Sequence, residues 1–407
     1  MYNTRKITDD LYWVGASDRR LALFENVYPI PEGISYNSYL LMDEKTVLID
    51  TVDNAVGERF FENVGHVLGE RKLDYIIVNH VEPDHSATLL QTLLKYPEAE
   101  VVCNAKSKRM ISQFFGSTEN LCFHEMADGD VLATGRHELT FISAPMVHWP
   151  EVMFTFDTTD GTLFSADAFG TFGALSGNIF ADEVDFENGW MDSARRYYTN
   201  IVGKYGAQVT KVLHTIANLP IMRICPLHGP VWREKIDRYV DKYEKWASYT
   251  PEEPSVLIIY GSIYGHTQNA ADIVAAELAE RGVRDIAEFD VSVTDPSYIV
   301  SEAFRRSHIV IASATYNGEI FPKMEQALLE LSAHGLQNRT VAVIDNGSWA
   351  SQAGKKIRGM LEGMKNITIL DETLTITSAL KDEQREQLIA VADAVASSLS
   401  DLMKQSG

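Results

Sequence analysis

The rhythm of hydrophobic and polar positions changes near residue 250. Before that point, short apolar segments come in runs: residues 36–42, 46–49 and 75–78 read as strands, and so do 139–142 and 162–165. Helical spacing of apolar positions covers 55–68, 85–94, 106–115, 190–202 and 209–217, and a highly charged helix is expected over 231–246. Strands grouped in runs predict a mixed α+β sandwich over residues 1–249. Beyond that point strands and helices alternate. Apolar strands near 255–260, 285–290, 308–312, 340–344 and 368–370, separated by helical stretches, predict an α/β doubly wound parallel sheet over residues 254–407. Tyr249-Thr250-Pro251-Glu252-Glu253-Pro254 lies between the two as a turn or linker, because its prolines and acids favour neither helix nor central strand.

Composition narrows the setting. The 407 residues are 45% hydrophobic and 23% charged, ordinary for a soluble globular protein of two or three domains. No apolar run approaches the roughly 20 residues of a membrane span, and the first residues do not read as a signal peptide, so a cytoplasmic protein without a membrane partner is expected. Only three cysteines occur, Cys103, Cys122 and Cys225, with no CxxC pair. That pattern excludes a disulfide framework and a fused rubredoxin or ferredoxin. The formal net charge of −21 makes nucleic acid a poor partner.

The chemistry is concentrated in the run His80-Val81-Glu82-Pro83-Asp84-His85, which directly follows an apolar segment. Further candidate ligands are His148, Asp167 and His228, each after an apolar segment and before a loop. A lone buried histidine is ordinarily a hydrogen-bonded core residue, and His124, His137 and His214 are expected to be surface or structural. Two imidazoles and two carboxylates in one tight loop are different, because burying them without a cation would leave several unpaired charges. Seven ligands suit two metal ions, and the carboxylates favour iron or manganese. Four neutral and three anionic ligands around two divalent ions leave a formal charge of +1, which one bridging hydroxide balances. Glu25, Trp149 and Tyr197 are candidates for the pocket wall.

Three loops carry the chemistry of the second half. Ser262-Ile263-Tyr264-Gly265-His266-Thr267 joins the first strand to a helix, and its hydroxyls and glycine at a helix N-terminus suit a phosphate. The spacing is neither GxGxxG nor GxxxxGK[ST], which disfavours dinucleotides and ATP. Ala314-Thr315-Tyr316-Asn317-Gly318 follows the third strand and Asn346-Gly347-Ser348-Trp349-Ala350 the fourth. Both fall at carboxyl ends of parallel strands, where such sheets bind ligands, and each brings an aromatic that can stack on a planar ring.

The His80–His85 run resembles the metal loop of the metallo-β-lactamase superfamily, usually HxHxDH, with Glu82 in place of the second histidine. With the downstream His, Asp and His it resembles the flavodiiron protein family, and the 262–267 loop resembles the FMN phosphate loop of flavodoxins. The resemblance spans nearly the whole chain. It implies a metallo-β-lactamase-like αββα sandwich followed by a flavodoxin-like domain. It implies FMN and two irons as cofactors: His80, Glu82 and His148 on one iron, Asp84, His85 and His228 on the other, and Asp167 bridging. It implies a reductase of dioxygen to water, of nitric oxide to nitrous oxide, or of both. An external donor, rubredoxin or reduced deazaflavin, would feed the flavin, and a head-to-tail homodimer or dimer of dimers would bring flavin and diiron together. The readings that compete are a zinc hydrolase with a fused flavodoxin and a non-catalytic electron carrier or redox sensor.

Overall fold

The computed structural model describes residues 1–406, which divide into two compact units, residues 1–244 and residues 245 onward. In the first unit two sheets face each other. The larger has seven strands, in the order Arg5–Lys6, Leu11–Trp13, Tyr39–Met42, Thr46–Ile49, Tyr75–Ile77, Glu100–Cys103 and Phe123–Glu125. It is antiparallel up to Thr46–Ile49 and parallel beyond. The smaller has five, Val131–Ala133, Glu138–Ser143, Met153–Asp157, Thr162–Phe164 and Arg223–Cys225. Alternate residues of both sheets meet in one core: Leu41, Val47, Ile49, Ile77 and Val102 from the larger, Leu139, Phe141, Met153 and Phe164 from the smaller. All four residues of Thr46–Ile49 are buried, so its other face is covered too. The helix Gly57–Leu68 buries Phe60, Val64 and Leu68, one stripe at four-residue spacing.

Three expectations change in detail. Residues 36–42 form two strands, Ile34–Tyr36 and Tyr39–Met42, in different sheets. The break is at Asn37, whose buried side chain accepts from Trp13 Nε1 at 2.8 Å and donates to the carbonyls of Pro226 and Gly229, both at 2.8 Å. Residues 85–94 are not one helix: Pro83–Ser86 is a single turn, and Leu89–Lys95 begins after it. The charged helix starts at Ile236, because Val231 and Trp232 bridge to Phe180 and Ile224.

The second unit is a parallel sheet in the order Ile286–Asp290, Glu253–Gly261, Arg306–Tyr316, Arg339–Asn346, Ile367–Ile376, with Glu319–Ile320 added antiparallel at one strand end. Its three central strands bury both faces. Leu257, Ile259, Ile311 and Val343 meet the helices Pro296–Arg305, Pro322–Ala333 and Ala353–Glu362. Val256, Ile258, Val310 and Ile344 meet His266–Glu280 and Arg385–Ser406. The strand order 2-1-3-4-5 places a switch point at the carboxyl ends of the first and third strands, where a crevice for ligand opens.

Candidate metal centre and cofactor cleft

The metal loop is aimed by a buried carboxylate. Asp50, just past Thr46–Ile49, accepts from the Asn79 backbone (2.7 Å), the Asn79 side chain (2.9 Å) and the His80 backbone (3.2 Å). The loop leaving Tyr75–Ile77 is thereby turned inward. The turn Pro83–Ser86 then presents Asp84 and His85, while His148, Asp167 and His228 arrive from loops 144–152, 165–172 and 226–230.

All seven predicted ligands converge. His80, Glu82, His148 and Asp167 form one group, and Asp84, His85 and His228 a second. In the first, Glu82 Oε2 lies 3.1 Å from His80 Nε2 and 3.0 Å from His148 Nε2. Asp167 Oδ2 is 3.1 Å from His148 Nε2 and 3.4 Å from His80 Nε2. In the second, Asp84 Oδ2 is 3.2 Å from the Nε2 atoms of both His85 and His228, which stand 3.1 Å from each other. Asp167 faces both groups, because its other oxygen, Oδ1, lies 3.1 Å from His85 Nε2 and 3.6 Å from His228 Nε2. Atoms bound about 2.1 Å from a common ion stand about 3.0–3.4 Å apart, so this spacing fits a shared cation in each group.

Two further observations test the fit. Both Asp84 oxygens and Asp167 Oδ1 are buried with no hydrogen-bond partner, a costly arrangement without a cation. Proton affinities report the same field. Burial alone would lower His148, but hydrogen bonds to Asp167 and Glu82 push it up to about 9. Burial would raise Asp167, yet His85 and His148 hold it well below the usual carboxylate range. Imidazoles held this close to a carboxylate that stays anionic make a donor set that a divalent cation would satisfy in place of protons. The outer nitrogens set the ring orientations: His80 Nδ1 meets Glu151 Oε1 at 2.8 Å, and His228 Nδ1 meets the Ser35 carbonyl at 2.7 Å.

Aromatic rings surround the cluster. Phe24, Tyr36 and Tyr197 lie 5.4, 5.7 and 5.5 Å from the His228 ring, and Trp149 lies 5.3 Å from His80. Glu25 follows Phe24 on a turn that is exposed as a whole, but its carboxyl is turned in toward Glu82, and desolvation there with the Glu82 charge pushes it up to about 8. Sequence reasoning missed Asp50 and Glu151. Glu151 had one signal, its place three residues after His148. A third group, His137, Asp157 and Asp160, has a different character. Both ring nitrogens of His137 already meet carboxylates, Asp157 at 2.5 Å and Asp10 at 3.1 Å, and Asp160 faces Arg223.

In the second unit the three predicted loops line one cleft of about 480 Å³, within the range of small-molecule sites. Ser262, Ile263, Tyr264, His266 and Thr267 form one side. Residues 314–318 and 346–350 form the others. Gly265 is not in the wall. It takes a left-handed conformation (φ 91°) that lets the chain enter the helix His266–Glu280, and its amide donates to Ser262 Oγ at 3.1 Å. Thr315 is in the wall, but its hydroxyl accepts from the Gln352 and Ala353 amides at 3.0 and 3.1 Å, anchoring the start of the helix Ala353–Glu362. Tyr264 and Trp349 are 91% and 93% exposed at the rim, an unusual position for large rings unless they cover a planar ligand. Ser378 and Ala379, past the last strand, also line the cleft. The sequence reading stopped one loop short of them.

Fold and site together define a two-domain metalloflavoprotein oxidoreductase. Residues 34–229 match the model of the ODP family β-lactamases and residues 258–390 that of flavodoxins. The chain is 31% identical to the anaerobic nitric oxide reductase flavorubredoxin of Escherichia coli, over 88% of this chain and 74% of that one. Its structure is similar to rubredoxin oxygen:oxidoreductase from Desulfovibrio gigas (TM-score 0.92, 26% identity, 98% of this chain and 99% of that one). It is also similar to the flavodiiron protein of Giardia intestinalis (TM-score 0.93, 26% identity, 98% of each chain). The chain belongs to the flavodiiron protein family, and membership implies FMN and a diiron centre as its cofactors. Among the described residues no helix is long and apolar enough to cross a membrane.

Proposed function

We propose that this protein reduces dioxygen to water, nitric oxide to nitrous oxide, or both. The observation that carries the reading is Asp167, whose two oxygens each face a separate group of ligands, so that two ions would sit side by side. When bound, FMN accepts electrons and releases them singly, and a pair of irons supplies the remaining reducing equivalents next to the substrate.

The chain's own residues would do the rest. His80, Glu82 and His148 would hold one ion, Asp84, His85 and His228 the other, and Asp167, facing both groups, would serve either. Three carboxylates among seven donors favour iron over the nitrogen-rich sets that suit zinc. The rings of Phe24, Tyr36 and Tyr197 around His228 make the surroundings of the cluster largely aromatic, in keeping with a small uncharged gas. In the second unit, the first-turn amides of His266–Glu280 and the 262–267 loop would hold the FMN phosphate, and Trp349 and Tyr316, both in the wall of the cleft, would contact the ring.

The donor is an external electron carrier. Rubredoxin is the proposed one, since the Desulfovibrio relative is named for it, with reduced deazaflavin as the other candidate. A head-to-tail homodimer or dimer of dimers, as the family resemblance implies, would bring the flavin of one chain to the metals of another. The test is anaerobic reduction of the purified protein, with iron and FMN quantified, followed by separate rapid mixing with each gas. Two irons, one FMN and fast reoxidation by either gas are expected. Zinc in the site, or reduced flavin inert to both gases, would overturn the proposal.

A further inference from the structure

Glu151 is fully buried, and no Lys or Arg pairs with it among the described residues. Its Oε1 receives the His80 ring nitrogen Nδ1 at 2.8 Å and the Val81 amide at 3.1 Å, and its Oε2 has no partner. Its backbone is fixed as well, because its carbonyl accepts from Asn104 Nδ2 at 2.6 Å. A carboxylate buried without a cationic side chain is costly unless its charge is answered nearby. Among the described residues, the one ionisable group that meets it is an imidazole whose far nitrogen faces Glu82 and Asp167, the Val81 amide being neutral. The charge must therefore be answered through that ring, by whatever cation the ring ligates.

The other group lacks such a partner. The outer nitrogen of His228 meets a neutral carbonyl, Ser35, and that of His85 has no hydrogen-bond partner. An anionic acceptor on an imidazole N–H makes the opposite nitrogen a stronger donor to metal, and a carbonyl does so less. The charge count changes too. With Glu151, the carboxylates that are ligand candidates or bond a ligand's ring are four: Glu82, Asp84, Asp167 and Glu151, equal to the charge of two divalent ions.

We infer that Glu151 is a positioning residue that orients His80 and renders the two metal positions inequivalent, the ion held by His80, Glu82 and His148 being the more electron-rich and the more tightly bound. The inference rests on the diiron reading above. It concerns the charge and hydrogen bond of Glu151, and a structural role alone would not produce its electrical consequence.

The test uses the full-length protein with both cofactors and compares Glu151→Gln and Glu151→Ala with wild type. The readouts are iron per chain, the rate of iron loss to a chelator, and the midpoint potentials of the two irons followed by EPR. Gln keeps an acceptor for the His80 N–H but removes the charge. It should hold two irons, with release within a few-fold of wild type, while the potential of one iron rises and that of FMN stays put. Ala should release one iron about 10–100-fold faster. If Ala fails to fold, the potentials of the Gln variant still decide. Two irons in wild type, with release rates and potentials unchanged in the variants, would overturn this inference alone. A wild-type protein that holds no metal pair would overturn it together with the function proposed above.

Discussion

Glu82 separates this cluster from a nitrogen-rich one. Its carboxylate lies about equally far from His80 and His148, at 3.1 and 3.0 Å, so an imidazole in its place would remove a negative charge between two rings. Glu82→His is expected to lower iron retention and to slow gas reduction roughly 100-fold or more, with FMN still bound. Iron and flavin content with turnover check this, and unchanged turnover would show that the assignment is wrong. His137 makes a different prediction. Burial would lower its pKa, but the hydrogen bonds to Asp157 and Asp10 push it up to about 9 from an ordinary 6.5. A folded pKa above the unfolded one means that the pairing stabilises fully below pH 6.5 and fades as pH rises through about 9. Wild type should exceed His137→Gln by about 2 kcal/mol near pH 6 and by almost nothing near pH 10, allowing for solvent screening. Urea unfolding at the two pH values measures it. A gap that widens with pH would contradict the pairing.

At the scale of elements, the ligand loops are held by connections that span the first unit. Asn37 ties the break between two strands to the loop that carries His228, through both Pro226 and Gly229. Asn37→Ala leaves a buried indole N–H and the Gly229 carbonyl unsatisfied, while the Pro226 carbonyl keeps the Tyr39 hydroxyl at 2.6 Å, and should cost about 2–4 kcal/mol, with iron lost from the His228 side. Gly229 has φ 77°, and an added Cβ would come within 2.0 Å of Thr171 Cγ2. Gly229→Ala should therefore displace His228 and leave the protein short of iron, as metal analysis would show. These elements also mark where the sequence could be read and where it could not. The doubly wound sheet followed from alternation, because its three central strands are apolar segments with both faces covered. The two-sheet architecture followed from strands in runs. The run from His80 to His85 was legible because it is local and dense. The split of residues 36–42 was not, since it depends on what Asn37 meets nearly 190 residues away. The late start of Ile236–Ala247 escaped for the same reason: the bridges of Val231 and Trp232 are tertiary. Glu151 and Asp50 act through hydrogen bonds to His80 and its neighbours, and no spacing rule announces such partners.

For the molecule as a whole, the proposed assembly gives a concentration dependence. If flavin and diiron from different chains must meet, turnover per chain should fall on dilution below the dimer dissociation constant and recover on concentration. Full activity from a monomer would exclude the head-to-tail arrangement. The central claim is that two irons lie side by side with Asp167 between them. Anomalous diffraction from crystals of the purified protein, recorded on both sides of the iron absorption edge, tests it most directly. Two adjacent iron peaks are predicted, one among His80, Glu82 and His148 and one among Asp84, His85 and His228. A single peak, or scattering that appears only at the zinc edge, would contradict it.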